Sequence, residues 1–150
     1  MKTEIKINNR EIGFNTEPYI IAELSGNHNG DINRAIKLID AAVDAGANAI
    51  KLQTYTADTL TIDSDRPEFL INEGPWAGQK LYDLYKQATT PWEWHPLLFE
   101  YAKEKKIHCF SSPFDNSAVD FLDNLCSPAY KIASFELVDL PLVKKVASKK

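Results

Sequence analysis

A chain of 150 residues with 44% hydrophobic and 25% charged side chains can bury one core and has an ordinary globular composition. Its formal charge of −4 and pI near 5.4 argue against a nucleic-acid or membrane-surface role, because no basic patch dominates. The opening Met1-Lys2-Thr3-Glu4-Ile5-Lys6 lacks the apolar stretch of a signal peptide, and no run reaches the roughly 20 apolar residues of a membrane span. A soluble, cytoplasmic protein is therefore expected.

Residues 2–14 alternate apolar and polar side chains about Asn8-Asn9-Arg10, which predicts a hairpin within residues 1–16, placed to plug the bottom of a barrel. Residues 19–24 form a short apolar strand. Asp31 is a candidate N-cap, and Ile32, Ala35, Ile36, Ile39, Ala42 and Val43 follow at helical spacing until Gly46 stops the helix. A second strand covers residues 49–55. Residues 56–78 carry Pro67, Gly74, Pro75 and Gly78 without a period, and so long an irregular connection is uncommon unless it binds something. Helices are predicted over 80–88 and 92–105, separated at Pro91. A third strand over 107–111, a helix over 117–125, a fourth strand over 129–133 and a last helix from Leu140 complete the chain. Cys109 and Cys126 fall within predicted elements and are expected to be buried, reduced thiols.

Strand-loop-helix units in succession predict parallel pairing and an α/β class. About four such units are visible, whereas a closed (β/α)8 TIM-type barrel has eight strands in roughly 250 residues. Residues 17–150 are accordingly expected to be the first half of such a barrel, following the N-terminal hairpin. A doubly wound open sheet is the alternative, but no glycine-rich phosphate turn follows any strand.

The polar residues at the strand ends carry the chemistry. Alternation along the second strand puts Ile50 and Leu52 toward the helices and Lys51 and Gln53 on the opposite side. Desolvating an ammonium is costly, so Lys51 must be paired, with Glu23 the obvious carboxylate, or must hold an anion. A Schiff base at Lys51 or Lys131 is the other catalytic possibility. Tyr130-Lys131-Ile132-Ala133-Ser134-Phe135-Glu136 repeats the pattern, a lysine in an apolar strand followed by a hydroxyl. Two inward lysines with nearby hydroxyls suit a phosphate or a phosphorylated carboxylate. Glu23 is either a counter-ion or a general acid or base. His28 precedes an Asn29-Gly30 turn and reads as a loop histidine. It shares no metal-ligand spacing with His95 or His108, so no metal site is expected among these residues. Trp92 and Trp94 read as core, while Trp76, beside Gly78 in the irregular stretch, is the better candidate for stacking on a sugar ring.

Together these residues resemble the sialic acid synthase family from about Pro18 onward. The motifs are Ile21-Ala22-Glu23 with Asn27-His28-Asn29-Gly30, then Ile50-Lys51-Leu52-Gln53-Thr54, then Phe110-Ser111-Ser112-Pro113-Phe114-Asp115, then Pro128-Ala129 leading into Tyr130–Glu136. The stretches from Gly74 to Tyr85 and from Thr90 to Trp94, with the Ala133-Ser134-Phe135-Glu136 ending, look like the pseudaminic acid synthase branch of that family.

The resemblance implies a transferase of nonulosonic acid biosynthesis that condenses phosphoenolpyruvate with an N-acylated amino sugar and releases phosphate. For the pseudaminic branch the sugar would be 2,4-diacetamido-2,4,6-trideoxy-L-altrose. An N-acetylneuraminate synthase using N-acetylmannosamine is the alternative, and a non-catalytic half-barrel is the alternative of another class. By the same resemblance Lys51, Ser112, Lys131 and Ser134 would hold phosphoenolpyruvate, and Glu23 would stand beside the reacting carbons with Lys51 and Lys131. Asn27, Gln53, Trp76 and Gly78 would contact the sugar. A divalent metal, Mn2+ or Mg2+, would be held by residues beyond 150, and an antifreeze-like domain would complete the partner's site in a homodimer. Residues 1–150 alone are thus expected to be inactive, with the fourth strand an open barrel edge.

Overall fold

The computed structural model describes residues 4–149. Strands β1 (Glu4–Ile7) and β2 (Arg10–Gly13) pair antiparallel with Ile5 opposite Ile12 and Ile7 opposite Arg10. Asn8 makes the turn at φ 51°, a left-handed conformation that asparagine tolerates. The predicted hairpin therefore forms; its first expected residues, Lys2 and Thr3, lie outside the described residues.

Three strands make the central sheet: β3 (Ile21–Glu23), β4 (Ala49–Thr54) and β5 (His108–Pro113), parallel and in that spatial order. The register sets Glu23 beside Lys51, Lys51 beside Phe110, and Gln53 beside Ser112. Side chains at paired positions of a parallel ladder share a face. One face of the sheet is thus Glu23, Lys51, Gln53 and Ser112, and the other is Ala22, Ile50, Leu52 and Thr54.

The second face carries the core. Helix α1 (Ile32–Asp44) begins at Asp31, whose Oδ1 accepts the Asn33 N–H at 2.8 Å, and Gly46 at φ 76° ends it. Its buried stripe of Ala35, Ile39 and Ala42 packs with Ile50 and Leu52 of β4 and with Leu98 and Ala102 of helix α4 (His95–Glu104). Helix α5 (Asn116–Asn124), capped by Asp115, buries Ala118, Val119 and Leu122 on the flank of β5. At the N-terminal end of β5, Asn8 of the hairpin lines a cavity with Lys106, Ile107 and His108, and the Tyr19 hydroxyl lies 2.6 Å from His108 Nδ1. The hairpin thus covers the end of the sheet opposite the polar strand ends.

Several expectations are corrected. The irregular stretch contains a short helix α2 (Ala57–Leu60), a 3-10 turn (Pro67–Phe69) and a bridge between Leu70 and Lys80. The 80–88 helix is α3 (Leu81–Ala88), and the 92–105 helix divides into a 3-10 turn (Trp92–Trp94) and α4, with Pro96 in the first turn of α4. The fourth strand reduces to a single parallel bridge, Ser111 to Tyr130, with the Lys131 N–H donating to Ser111 O at 3.2 Å. Beyond Ser112, β5 offers Pro113, which has no N–H with which to extend the ladder. A 3-10 helix (Ser134–Val138) follows, then α6 (Leu140–Ala147). Cys109 is buried as expected, but Cys126 is exposed. None of the described helices is long and apolar enough to cross a membrane.

Leu52 is fully buried between α1 and α4. Leu52→Ala is expected to cost roughly 2–5 kcal/mol, read as a lowered urea midpoint with an unchanged m-value.

Candidate active site

The open face of the sheet gathers charge at the C-terminal strand ends. Lys51 is almost wholly buried, its side chain 6% exposed, and its Nζ lies 2.7 Å from Glu23 Oε2 and 3.5 Å from Ser112 Oγ. Glu23 is more than half exposed. The pair is therefore asymmetric: the ammonium is taken out of water while its counter-ion remains in contact with it. An ammonium has three N–H donors, and the described residues supply one close acceptor and one long one. Lysine at this position can hold Glu23 and an anionic ligand at once.

Lys131 joins this face by register. Since Tyr130 bridges Ser111, its neighbour Lys131 lies on the side of Ser112, and its side chain is exposed there. Of the residues expected to hold an anion, Lys51, Ser112 and Lys131 are thus brought to one face, with Glu23 beside them. Ser134 stands further on, at the start of the 3-10 helix, where it lines a cavity of about 520 Å³ with Gln53 and Glu136.

That cavity contains residues the sequence reading did not single out. Tyr55, Leu60, Tyr85, Phe114 and Phe135 form its apolar lining. Tyr55 packs edge-on against Tyr85 and Phe114, with centroids 6.3 and 5.4 Å away, and burial pushes its hydroxyl pKa up to about 12. The signal was available: the alternation that turns Lys51 and Gln53 inward continues to residue 55. Glu136 Oε2 is buried without a hydrogen-bond partner among the described residues, and burying a carboxyl oxygen unpaired is costly.

Other expected residues do not join. Trp76 is half exposed at the tip of the excursion between Ile71 and Gln79, and Gly78 lines a separate cavity with Lys80 and Asp83. Asn27 is exposed in the turn after β3. Lys80 is engaged by Asp63 at 2.7 Å and Asp65 at 3.2 Å, which fixes the base of the excursion.

The two serines of the Ser111-Ser112 pair part company, one to each face. Ser111 Oγ lies 2.7 Å from Thr54 Oγ1, which lies 2.8 Å from His95 Nε2, and all three residues are fully buried beneath the helices. The Pro91 carbonyl, 3.2 Å from His95 Nδ1, can only accept, so Nδ1 carries the proton and Nε2 accepts from Thr54. The chain Ser111–Thr54–His95–Pro91 clamps the ends of β4 and β5 from outside while Gln53 and Ser112 face the site. His28, expected as a loop histidine, is instead wholly buried: Nδ1 accepts the Gly30 N–H at 3.1 Å, and Nε2 lies 3.1 Å from Thr90 Oγ1. Trp94 packs partly buried against the core beside His28, whereas Trp92, expected as core, is half-buried against Phe121 outside that cluster. With His108 held by Tyr19, all three histidines are occupied, and no cluster of three His, Cys, Asp or Glu able to hold a metal occurs among the described residues.

The parallel sheet thus carries a buried lysine paired with a carboxylate at its C-terminal strand ends, the end at which parallel α/β folds place their sites. The NeuB family profile matches residues 38–150, and the chain belongs to the NeuB family. It is 52% identical over 139 residues to the pseudaminic acid synthase of Campylobacter jejuni, covering 91% of this chain and 40% of that protein. The pseudaminic acid synthase of Helicobacter pylori is 48% identical over 130 residues, covering 87% of this chain and 38% of that one. The crystal structure of N-acetylneuraminic acid (sialic acid) synthetase from Leptospira borgpetersenii in complex with citrate superposes with a TM-score of 0.82 at 33% identity, over 97% of this chain and 46% of that one. The chain spans about two-fifths of the length of these curated relatives.

Burial lowers the pKa of His95 from 6.5 to about 4, so the folded state keeps it neutral where the unfolded chain takes up a proton. The stability held above pH 6.5 is lost as pH falls toward 4, by about 3 kcal/mol in all. His95→Gln should flatten that part of the stability-against-pH curve in urea titrations, while lowering stability at pH 7.

Proposed function

We propose that residues 1–150 are the N-terminal part of a pseudaminic acid synthase, a transferase that condenses phosphoenolpyruvate with 2,4-diacetamido-2,4,6-trideoxy-L-altrose and releases phosphate. The carrying observation is the buried Lys51, paired to Glu23 and facing Ser112 at the strand ends. The identity to two proteins named pseudaminic acid synthase supports the choice of sugar. In this reading the three parallel strands and the Tyr130 bridge open a (β/α)8 barrel whose remaining strands lie in further chain, and two such chains form a homodimer.

Lys51 and Lys131 oppose the phosphate and carboxylate of phosphoenolpyruvate, with Ser112 and Ser134 donating hydrogen bonds. Carbon 3 of phosphoenolpyruvate attacks the sugar aldehyde, forming the new C–C bond as the aldehyde oxygen takes up a proton. Water adds to the cation left at carbon 2, giving up a proton, and the tetrahedral intermediate expels phosphate to leave the 2-keto acid. Glu23 stands beside Lys51, where it can move those protons or oppose the positive charge at carbon 2. Gln53 and Glu136, on the same cavity wall as Ser134, face the sugar, while Asn27, Trp76 and Gly78 would reach it from the surrounding turns. The Glu23 carboxylate held against Lys51 disfavours the Schiff-base alternative, which needs a free amine. A divalent metal, which would polarise the aldehyde, does not fit the histidines described here, and its ligands are assigned to chain beyond Lys150.

The test is phosphate release by the complete synthase with phosphoenolpyruvate and manganese, offered the diacetamido sugar and N-acetylmannosamine separately. Release with the first alone supports the assignment; release with the second alone moves it to the N-acetylneuraminate branch, and release with neither rejects both. Lys51→Met, which keeps the side-chain length without its charge, is expected to lower the rate about 10²-fold or more.

A further inference from the structure

The cavity beyond the strand ends has a mixed lining. Gln53, Ser134 and Glu136 supply its polar groups, and Tyr55, Leu60 and Phe135 much of its apolar surface. Two of its residues lack a partner among the described residues. Glu136 Oε2 is buried and accepts no hydrogen bond from them, while the neighbouring Phe135 is 87% exposed. One unpaired polar atom and one uncovered ring, adjacent in sequence and lining one space, call for an occupant that is polar on one side and apolar on the other.

We infer that Phe135 is a specificity-determining residue. Its ring, with Leu60, receives the methyl terminus of a 6-deoxy amino sugar, while Glu136 takes hydrogen bonds from the polar side of the same molecule. This rests on the synthase reading above and adds to it the atom by which the sugar is chosen. A sugar with a hydroxyl at carbon 6 would have to strip water from that hydroxyl against a wall that offers it no acceptor or donor. An apolar wall discriminates a methyl from a hydroxymethyl only moderately, by about 10–100-fold. The position of Phe135 favours this role. It lies in the 3-10 helix Ser134–Val138, between Ser134 and Glu136, and lines the same cavity as both. Among residues 4–149 its ring is exposed, so its removal takes no packing from the core described above.

The test uses the complete synthase and two substrates that differ by one oxygen: the 2,4-diacetamido-2,4,6-trideoxy sugar and its 6-hydroxy counterpart. In the unaltered enzyme the deoxy sugar is expected to have a kcat/KM about 10–100-fold higher. Phe135→Ser should bring that ratio down to within a few-fold, with the KM for phosphoenolpyruvate and the melting temperature unchanged, and Phe135→Leu should restore most of the preference. A ratio that F135S leaves unchanged overturns the inference, as does an equal loss for both sugars together with a raised phosphoenolpyruvate KM. Should F135S fail to fold, Leu60→Ser reads the same wall, and an unchanged ratio there overturns it equally. An unaltered enzyme that releases no phosphate with the deoxy sugar rejects the synthase reading itself, which distinguishes the two failures.

Discussion

A lysine ammonium 6% exposed within a parallel sheet needs compensating charge, and that requirement organises the molecule. Glu23 at 2.7 Å supplies it only because β3 pairs with β4 in the register that sets Glu23 beside Lys51. A slip of one residue would turn the carboxylate to the helix-covered face and leave the ammonium buried alone. The short β3 is therefore held from several sides. The Leu24 N–H donates to Lys51 O, the Asn48 side chain accepts the Ile20 N–H, and the buried His28 locks the following turn.

The two faces of β4 and β5 divide the work by alternation. Ile50 and Leu52 bury into α1 and α4, and Thr54 and Ser111 carry a hydroxyl chain to His95 on the same side. That leaves Lys51, Gln53 and Ser112 toward the open face with their backbones fixed from behind. A site that must distinguish a phosphorylated carboxylate from water gains from such a rigid support, because its donors are held in place before the ligand arrives. The hairpin, at the other end of the strands, is too far along the sheet to take part in that site.

The side proposed to face the sugar is built differently. Gln53 comes from a strand, Leu60 from α2, Tyr85 from α3, and Ser134, Phe135 and Glu136 from a 3-10 helix. Rigid strand ends proposed to hold the anion, and loop-borne residues lining the adjoining cavity, match how α/β folds vary substrate on a constant scaffold. In NeuB-family terms, the phosphoenolpyruvate side is proposed to be the constant half of the site and the aromatic cavity the variable half.

Much was legible before any coordinates. Period-2 alternation in residues 49–55 gave the facing of Ile50, Lys51, Leu52 and Gln53, and the Asp31 and Gly46 signals bounded α1, because both rest on local backbone geometry. The pairing of Lys51 with Glu23 was one of the two outcomes that the cost of burying charge allowed. Contacts between elements distant in sequence were not legible. No local pattern shows that Ser111 meets Thr54, that His95 reaches across 41 positions to Thr54, or that Glu136 Oε2 is buried with no partner among the described residues. Nor could the sequence show that the fourth strand would shrink to one bridge, since strand length depends on the donors of the neighbour, and Pro113 removes one. The sequence by itself determined which residues are apolar, charged or turn-forming and hence which way each strand faces. Only the tertiary structure decided which of those side chains meet, because pairing is set by sheet register and helix packing rather than by neighbours along the chain.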